Sequence, residues 1–378
     1  MASPLTHLGA LGVGRFMREY WQRRPLLVRN AVVPPAVGRR QLFALAGREE
    51  VESRLVVRHG QDWTLRHGPI PRRALPPLRQ KRWTLLVQGL DGLDAAAQEF
   101  LRRFRFVPDA RLDDLMASYA TDGGGVGPHV DNYDVFLVQA AGFRRWRIGK
   151  VRDATLQPGR PLRLLAHFQP QQEWLLGPGD LLYLPPGIAH DGIATGECIT
   201  LSVGYRTPSF QELLDPWFAD FASRSTLPGR YADPGLRPTR NPGALPPAMV
   251  ARVHKALSSQ RPRLADTERF LLEHLSEPKG HIVFARPARV PALAAFIRAA
   301  RRRGLVLDPR SRMLTGRGGI GINGEFVAAA AQGVPAILKQ LADARCLAAR
   351  QLDAVPAACL ALLHDWLQAG WLVLGPQR

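Results

Sequence analysis

Gly123-Gly-Gly-Val-Gly-Pro-His-Val-Asp131 and Leu184-Pro-Pro-Gly-Ile-Ala-His190 are the stretches from which the fold is read. The first sets His129 and Asp131 two positions apart. Alternate residues of a strand face the same side, so both side chains reach one point. The second supplies His190 about sixty residues further on, as a strand folding back alongside the first requires. Two imidazoles and one carboxylate, with other coordination positions left open, form the ligand set of non-haem Fe(II) sites. An isolated His-x-Asp pair is commonly a surface loop. Here it follows a glycine-rich run and precedes the apolar Val135-Phe-Leu-Val138. It is answered by Gly179-Asp-Leu-Leu-Tyr-Leu-Pro-Pro-Gly-Ile-Ala-His190.

Around these stretches the chain reads as short strands separated by turns. Residues 51–57 and 62–66 flank the turn His59-Gly-Gln, and 83–88 is an apolar, buried-type strand. Residues 108–119 lead toward the glycine run. Residues 133–140 pair with 144–148 as a hairpin across Ala141-Gly-Phe143. Strands at 173–176, 181–184 and 199–205 complete the set, and helices are expected at 13–21, 41–46 and 94–104. Such a pattern predicts a double-sheet β-barrel of the jelly-roll type, with ligands bound at its mouth.

Within the expected hairpin, Arg144 and Trp146 share one face, Arg145 and Arg147 the other. An inward Arg144 suits a dicarboxylate, because a guanidinium binds carboxylate through two parallel hydrogen bonds. Thr200, Ser202 and Gly204 lie opposite Leu201 and Val203, so the Ser202 hydroxyl is a second candidate for that ligand. On the substrate side the candidates are Asp122, Tyr119 and Asn132. Six aspartates (Asp109, Asp113, Asp114, Asp122, Asp131, Asp134) against Arg111 alone suggest an acidic mouth for a basic substrate. Caps and turns are the competing explanation of these aspartates.

Gly-Pro-His-Val-Asp-Asn-Tyr-Asp-Val-Phe136, Phe143-Arg-Arg-Trp-Arg147 and the segment ending in His190 resemble the JmjC/cupin ribosomal oxygenases. The bacterial arginine hydroxylases of a ribosomal protein are the most similar group. The resemblance implies a mainly β double-stranded β-helix of the jelly-roll/cupin, JmjC type. It implies Fe(II) on His129, Asp131 and His190, with 2-oxoglutarate as cosubstrate anchored by Arg144. Asp122 matches an acidic position of the arginine-hydroxylating group. The implied reaction is hydroxylation of the β-carbon of an arginine in large-subunit ribosomal protein sixteen, by a homodimer. The alternatives are histidine hydroxylation, lysine demethylation, or a non-catalytic nucleic-acid-binding protein with a cupin sensor.

The character of the chain changes after Arg206. Residues 209–223 are helical with Ser209 as N-cap, 226–247 form a Pro/Gly/Arg-rich linker, and 246–258 is another helix. Helices at 290–303, 333–344 and 356–369 with short strands near 313, 321–327 and 371–374 predict a small winged-helix-like α+β domain. The expected division is a catalytic domain over 1–206, a helical dimerisation segment and linker over 207–262, and the winged-helix-like domain over 263–378. No apolar run of membrane-spanning length occurs and no secretory signal is seen. Three cysteines without zinc spacing suggest a reduced, cytoplasmic setting. The net charge of +19 suggests proximity to ribosomal RNA, although part of the arginine fits a GC-rich genome.

Overall fold

The computed structural model describes residues 3–376. They form two compact units. The first holds the chain up to Thr207, Pro278–Ser311 and the residues from Ala348 onward; the second holds Pro208–Glu277 and Arg312–Leu347.

In the first unit, β1 (His7–Leu8) and β2 (Leu11–Gly12) form a hairpin that leads into α1 (Val13–Glu19). Then come β3 (Leu26–Val28), α2 (Arg39–Ala46), β4 (Ser53–His59), β5 (Asp62–His67), β6 (Trp83–Val87) and α3 (Ala95–Arg102). The remaining strands are β7 (Leu112–Ala120), β8 (His129–Val130), β9 (Asp134–Lys150), β10 (Gln172–Leu176), β11 (Leu181–Leu184) and β12 (Ile188–Tyr205). Strands β3 to β12 make one sheet in the order β3-β11-β9-β12-β7-β6-β4-β5, with β10 on β9 and β8 on β12. Beyond it lie α4 (Phe210–Arg224), α5 (Pro247–Ser258), α6 (Leu264–Ser276), α7 (Leu293–Arg303), β13 (Leu305–Leu307), β14 (Met313–Thr315), β15 (Gly319–Ile322), β16 (Glu325–Ala328), α8 (Ala336–Ala344), β17 (Cys346–Leu347), α9 (Ala357–Gln368) and β18 (Leu372–Leu374).

The expected hairpin at Ala141-Gly-Phe143 does not form: β9 runs straight through it for 17 residues. Gly142 has a left-handed φ of 60°, and a Cβ there would collide with the carbonyl oxygen of Glu197. The glycine is therefore a bulge, and it faces the register shift of β12 between Thr195 and Ile199. Gln139 fastens it. Its Nε2 donates to the carbonyls of Ala141 (2.8 Å) and Gly142 (3.3 Å), and its Oε1 accepts from the Thr200 hydroxyl at 2.8 Å. An inserted residue reverses which parity faces inward. Hence Val135 and Leu137 before the bulge, and Trp146 and Ile148 after it, share one apolar cluster with Leu176, Leu182 and Leu184. This cluster lines the barrel. In the same way β12 is one strand from His190 through the expected closing strand.

The other face of the sheet carries the larger core, where Phe136 and Val138 meet Phe16 of α1, Leu42 and Phe43 of α2, and Phe100 of α3. Burying each such side chain is worth about 1.5–3 kcal/mol. Asp94 caps α3 by accepting from the Ala97 N–H at 2.8 Å. In the same unit β13 pairs antiparallel with β18, and α7 packs on α9 through Phe296 and His364.

In the second unit, Ser209 caps α4 through a capping box with Glu212, as expected. β14, β15 and β16 form an antiparallel meander. It lies close against α6, a helix the sequence reading had not marked: a Cβ on Gly321 would strike the Leu272 carbonyl. Phe270, Leu272 and Ser276 are the buried residues of α6.

Candidate active site

Register brings the histidines together. His190 on β12 lies opposite His129 on β8, and their rings sit 4.2 Å apart. His129 Nε2 is 3.9 Å from Asp131 Oδ1, and His190 Nε2 is 3.6 Å from Asp131 Oδ2. The ligating atoms of all three residues fall within 4.8 Å of one another. The Pro-Pro-Gly corner is tied to this point, since the Gly187 N–H donates to the Asp131 carbonyl at 2.9 Å.

The proton positions follow from the backbone. His129 Nδ1 lies 2.8 Å from the Gly127 carbonyl, and His190 Nδ1 lies 3.0 Å from the Ile188 carbonyl. A carbonyl only accepts, so each Nδ1 carries a hydrogen and each Nε2 is the ring nitrogen turned toward Asp131. Burial, and then the neighbouring His129, push the pKa of His190 down to about 4. The imidazole is thus neutral, the form that binds metal.

Arg144 projects into the barrel and is 4% exposed. Its Nη2 donates to Ser118 Oγ at 3.2 Å, and its Nε has no partner. Its neighbours differ. Arg145 pairs with Glu173 at 2.9 Å, and Arg147 pairs with Asp191 at 2.5 Å. Among the described residues no carboxylate is paired with Arg144. A buried guanidinium without a counter-ion is costly, so this interior is built to receive an anion. Ser202 stands opposite Leu137 and Met116 on the same inner row, and its hydroxyl has no protein partner among the described residues. Two imidazoles, a carboxylate and an uncompensated interior arginine fit Fe(II) with a dicarboxylate cosubstrate.

The substrate-side candidates fare unevenly. Asp122 is on the surface, where its Oδ1 accepts from the Gly196 N–H and its Oδ2 pairs with Lys81, both at 2.9 Å. These contacts hold its carboxyl below the usual range. Asn132 is exposed in the bend after Asp131. Tyr119 is a correction: it lies on the opposite face of β7 from Ser118, packed between Phe43 and Trp83 in the larger core. Burial and the nearby Glu197 push its hydroxyl up to about 12. The acidic mouth also dissolves. Asp109 pairs with Arg105, Asp113 with Arg206 and Lys279, and Asp114 with Lys279. Asp134 is fully buried against Arg111 and the Tyr183 hydroxyl. Of the six, Asp131 is turned to the two histidines, while Asp122 is held at the surface by Lys81 and the Gly196 N–H.

Sequence reasoning missed Ser118, which orients Arg144, and the closeness of Trp146 to His190, ring to ring 5.8 Å. A Cβ on Gly192 would run into the Trp146 ring, so that glycine leaves the indole its place. Strand alternation on β7 pointed to Ser118, once the direction of Arg144 was fixed.

Comparison with known proteins agrees with this geometry. A JmjC domain matches residues 99–213, and a ROXA-like winged helix matches residues 259–373. Fold and site together define an Fe(II)- and 2-oxoglutarate-dependent dioxygenase of the JmjC type, followed by a winged helix. The ribosomal protein uL16 3-hydroxylase of Escherichia coli K12 is 34% identical over 277 residues, which span 72% of this chain and 73% of that protein. A probable ribosomal oxygenase of Haemophilus influenzae is 38% identical over 207 residues, 53% of this chain and 51% of that one. The solved structure of YcfD, a ribosomal oxygenase from Escherichia coli, in complex with cobalt and 2-oxoglutarate, matches with a TM-score of 0.83 at 28% identity. That match covers 98% of this chain and 100% of the other. The chain belongs to the JmjC ribosomal oxygenase family.

Proposed function

We propose that this protein hydroxylates the β-carbon of an arginine in a large-subunit ribosomal protein, the counterpart of uL16. Fe(II) would be held by His129, Asp131 and His190. Arg144, aided by Ser202, would take the far carboxylate of 2-oxoglutarate. The observation that carries this reading is the buried Arg144, which lacks an anionic partner in the same barrel as the triad. With dioxygen, bound iron and 2-oxoglutarate supply an oxidant able to hydroxylate an unactivated C–H bond. The chain's own contribution is geometry. The Gly127 and Ile188 carbonyls fix both imidazole tautomers, and Leu137, Trp146, Ile148, Leu182 and Leu184 keep the interior apolar. Asp122 and Asn132 are proposed to meet the substrate. For the incoming guanidinium, Asp122 would exchange its exposed Lys81 partner.

The uL16 target and the position-3 hydroxylation draw their support from the name of the Escherichia coli relative, and the arginine from the resemblance of the motifs around His129 and His190. Histidine hydroxylation or lysine demethylation is the second reading. An Aedes aegypti relative named for both those activities is 25% identical, and the higher identity of the Escherichia coli relative favours uL16 as the substrate. The proposed layout is a catalytic domain over 1–206, a dimerising helical segment over 207–262 and a winged-helix domain over 263–378. The protein would act as a homodimer in the cytoplasm, close to ribosomal RNA. Free cysteines at Cys198, Cys346 and Cys359 fit that compartment.

The test is mass spectrometry of the ribosomal protein after incubation with the Fe(II)-loaded enzyme and 2-oxoglutarate. A gain of one oxygen on an arginine, matched by succinate and absent with His129→Ala, is the expected result. Succinate formation with the oxygen on histidine, or on no residue of that protein, overturns the substrate assignment.

A further inference from the structure

The chain's positive charge is not spread evenly. Residues 225–263 contain Arg230, Arg237, Arg240, Arg252, Lys255, Arg261 and Arg263 against the single acid Asp233. That is a net +6 of the chain's +19 in about a tenth of its length. All seven cations are exposed. Among the described residues the side chains of Arg230, Arg237, Arg240, Lys255 and Arg261 form no ion pair or hydrogen bond. Several cations elsewhere are occupied. Arg105, Arg111 and Lys279 hold aspartates, and Arg301 and Arg303 at the basic end of α7 donate to the carbonyls of Leu352, Asp353 and Gly375. The Arg-rich end of α7 is thus partly spent on packing; exposed cations such as Arg73, Arg79 and Arg302 stay unpaired elsewhere among the described residues, and 225–263 is the stretch where such charge is carried on an extended arm and the helix that follows it. Like charges left unpaired repel one another, so this surface is suited to an anionic partner.

The form of the segment narrows the partner. Six of the seven cations are arginines, whose planar fork grips phosphate through two bonds and stacks on bases. Three of them lie along an extended arm rich in proline and glycine, beside the half-exposed Tyr231, as an elongated strand of phosphates with stackable bases would require. The arm is joined to α5, because Arg252 donates to the Ala232 carbonyl. On α5, Arg252 and Lys255 share one side, three positions apart, while Met249, Val253 and Leu257 line the other at helical spacing. A helix lying on lipid commonly sets Trp or Phe below its basic face, and α5 has neither.

We propose that residues 225–263 form a docking surface for the phosphate backbone of RNA. Resting on the ribosomal-protein reading above, this surface would hold the enzyme on the particle that carries its substrate.

Fluorescence anisotropy of the full-length protein with a labelled RNA hairpin and a single strand, across a salt series, tests the proposal. One variant carries glutamine at all seven positions, and a second carries lysine at the six arginines. The wild type should lose affinity linearly in log salt. The glutamine variant should bind at least about tenfold more weakly, with a slope shallower by about 0.7 for each phosphate contact removed. The lysine variant should keep most of the slope. An unchanged slope and affinity in the glutamine variant overturns the proposal. So does tighter binding of the wild type to phosphatidylglycerol vesicles, or to polyglutamate, than to RNA at equal salt. Hydroxylation of the isolated ribosomal protein is read in parallel and should be equal in wild type and glutamine variant. If the wild type fails in that assay, the substrate reading falls, while the RNA measurement is decided separately.

Discussion

Arg144 sets the strongest expectation at the residue scale. Buried, bonded once to Ser118 and otherwise without an anion, it is proposed to spend its charge on the cosubstrate. A hydrogen bond to a charged group is worth about 1.5–3 kcal/mol, so Arg144→Met should raise the KM for 2-oxoglutarate by roughly ten- to a hundredfold. Iron binding, read by the metal-to-ligand absorption band or by calorimetry, should survive. Ser118→Ala removes only the orienting contact and should raise the same KM by a few-fold at most, with kcat nearly unchanged. Equal kinetics in Arg144→Met and wild type would place the cosubstrate elsewhere. The triad residues were legible in the sequence because their geometry is local: i and i+2 on one strand, and a histidine after a stiff Pro-Pro-Gly corner. The duties of Asp113, Asp114 and Asp134 were not. Their partners Arg206, Lys279 and Tyr183 come from far along the chain, so only the fold shows these carboxylates already in use.

The bulge at Gly142 matters most at the scale of elements. Ala141-Gly-Phe143 looks like a turn in sequence, and a glycine with positive φ serves a turn and a bulge alike. What separates them is the partner strand: β12 matches β9 on both sides of the glycine, and its own shift at Thr195 to Ile199 absorbs the extra residue. Gly142→Val should cost about 2–4 kcal/mol, joining the penalty of a left-handed β-branched residue to a clash with Glu197. It should also turn Arg144 from its seat, so a loss of 2-oxoglutarate binding larger than the loss of iron binding is expected. The turn before β11 gives a pH signature. Burial alone would raise the Asp180 carboxyl, but the N–H groups of Gly177 and Asn30 and the guanidinium of Arg29 outweigh it and hold it below the usual range. A depressed folded pKa contributes stability that is fully present above the unfolded value near 3.9 and is lost as pH falls through the folded one. Asp180→Asn should therefore lower Tm at neutral pH and flatten the acid limb of Tm against pH below about 4. A mutant whose acid limb runs parallel to the wild type would show that other carboxylates govern it.

Apolar surface and charge part company at the scale of the whole molecule. The net charge is legible in composition, but which arginines are free is not, because pairing depends on tertiary neighbours. The apolar side is the reverse case: the helical spacing of Phe210, Leu214 and Phe218 was plain, yet it reads as ordinary core. In the structure these residues stay outside, 93%, 39% and 54% exposed, and no residue of α4 is buried. Spaced four apart, they form one stripe along the helix. On α5, Val250, Val253 and Leu257 are likewise exposed. Contiguous apolar faces of this kind mark association surfaces, and a self-complementary patch repeated by a two-fold axis is the commonest way to cover one. The proposed homodimer gives them a partner while leaving Arg252 and Lys255 on the outward side of α5. Phe210→Glu with Phe218→Glu should then halve the mass seen by sedimentation equilibrium. Tm should fall little at high dilution, since Phe210 is almost fully exposed and Phe218 meets only the neighbouring Trp217 edge-on. Iron binding and turnover of a short peptide should persist, because the triad and Arg144 belong to the barrel. A wild type that sediments as a monomer at micromolar concentration would reject the dimer. A dimer unchanged by the double substitution would move its interface off α4.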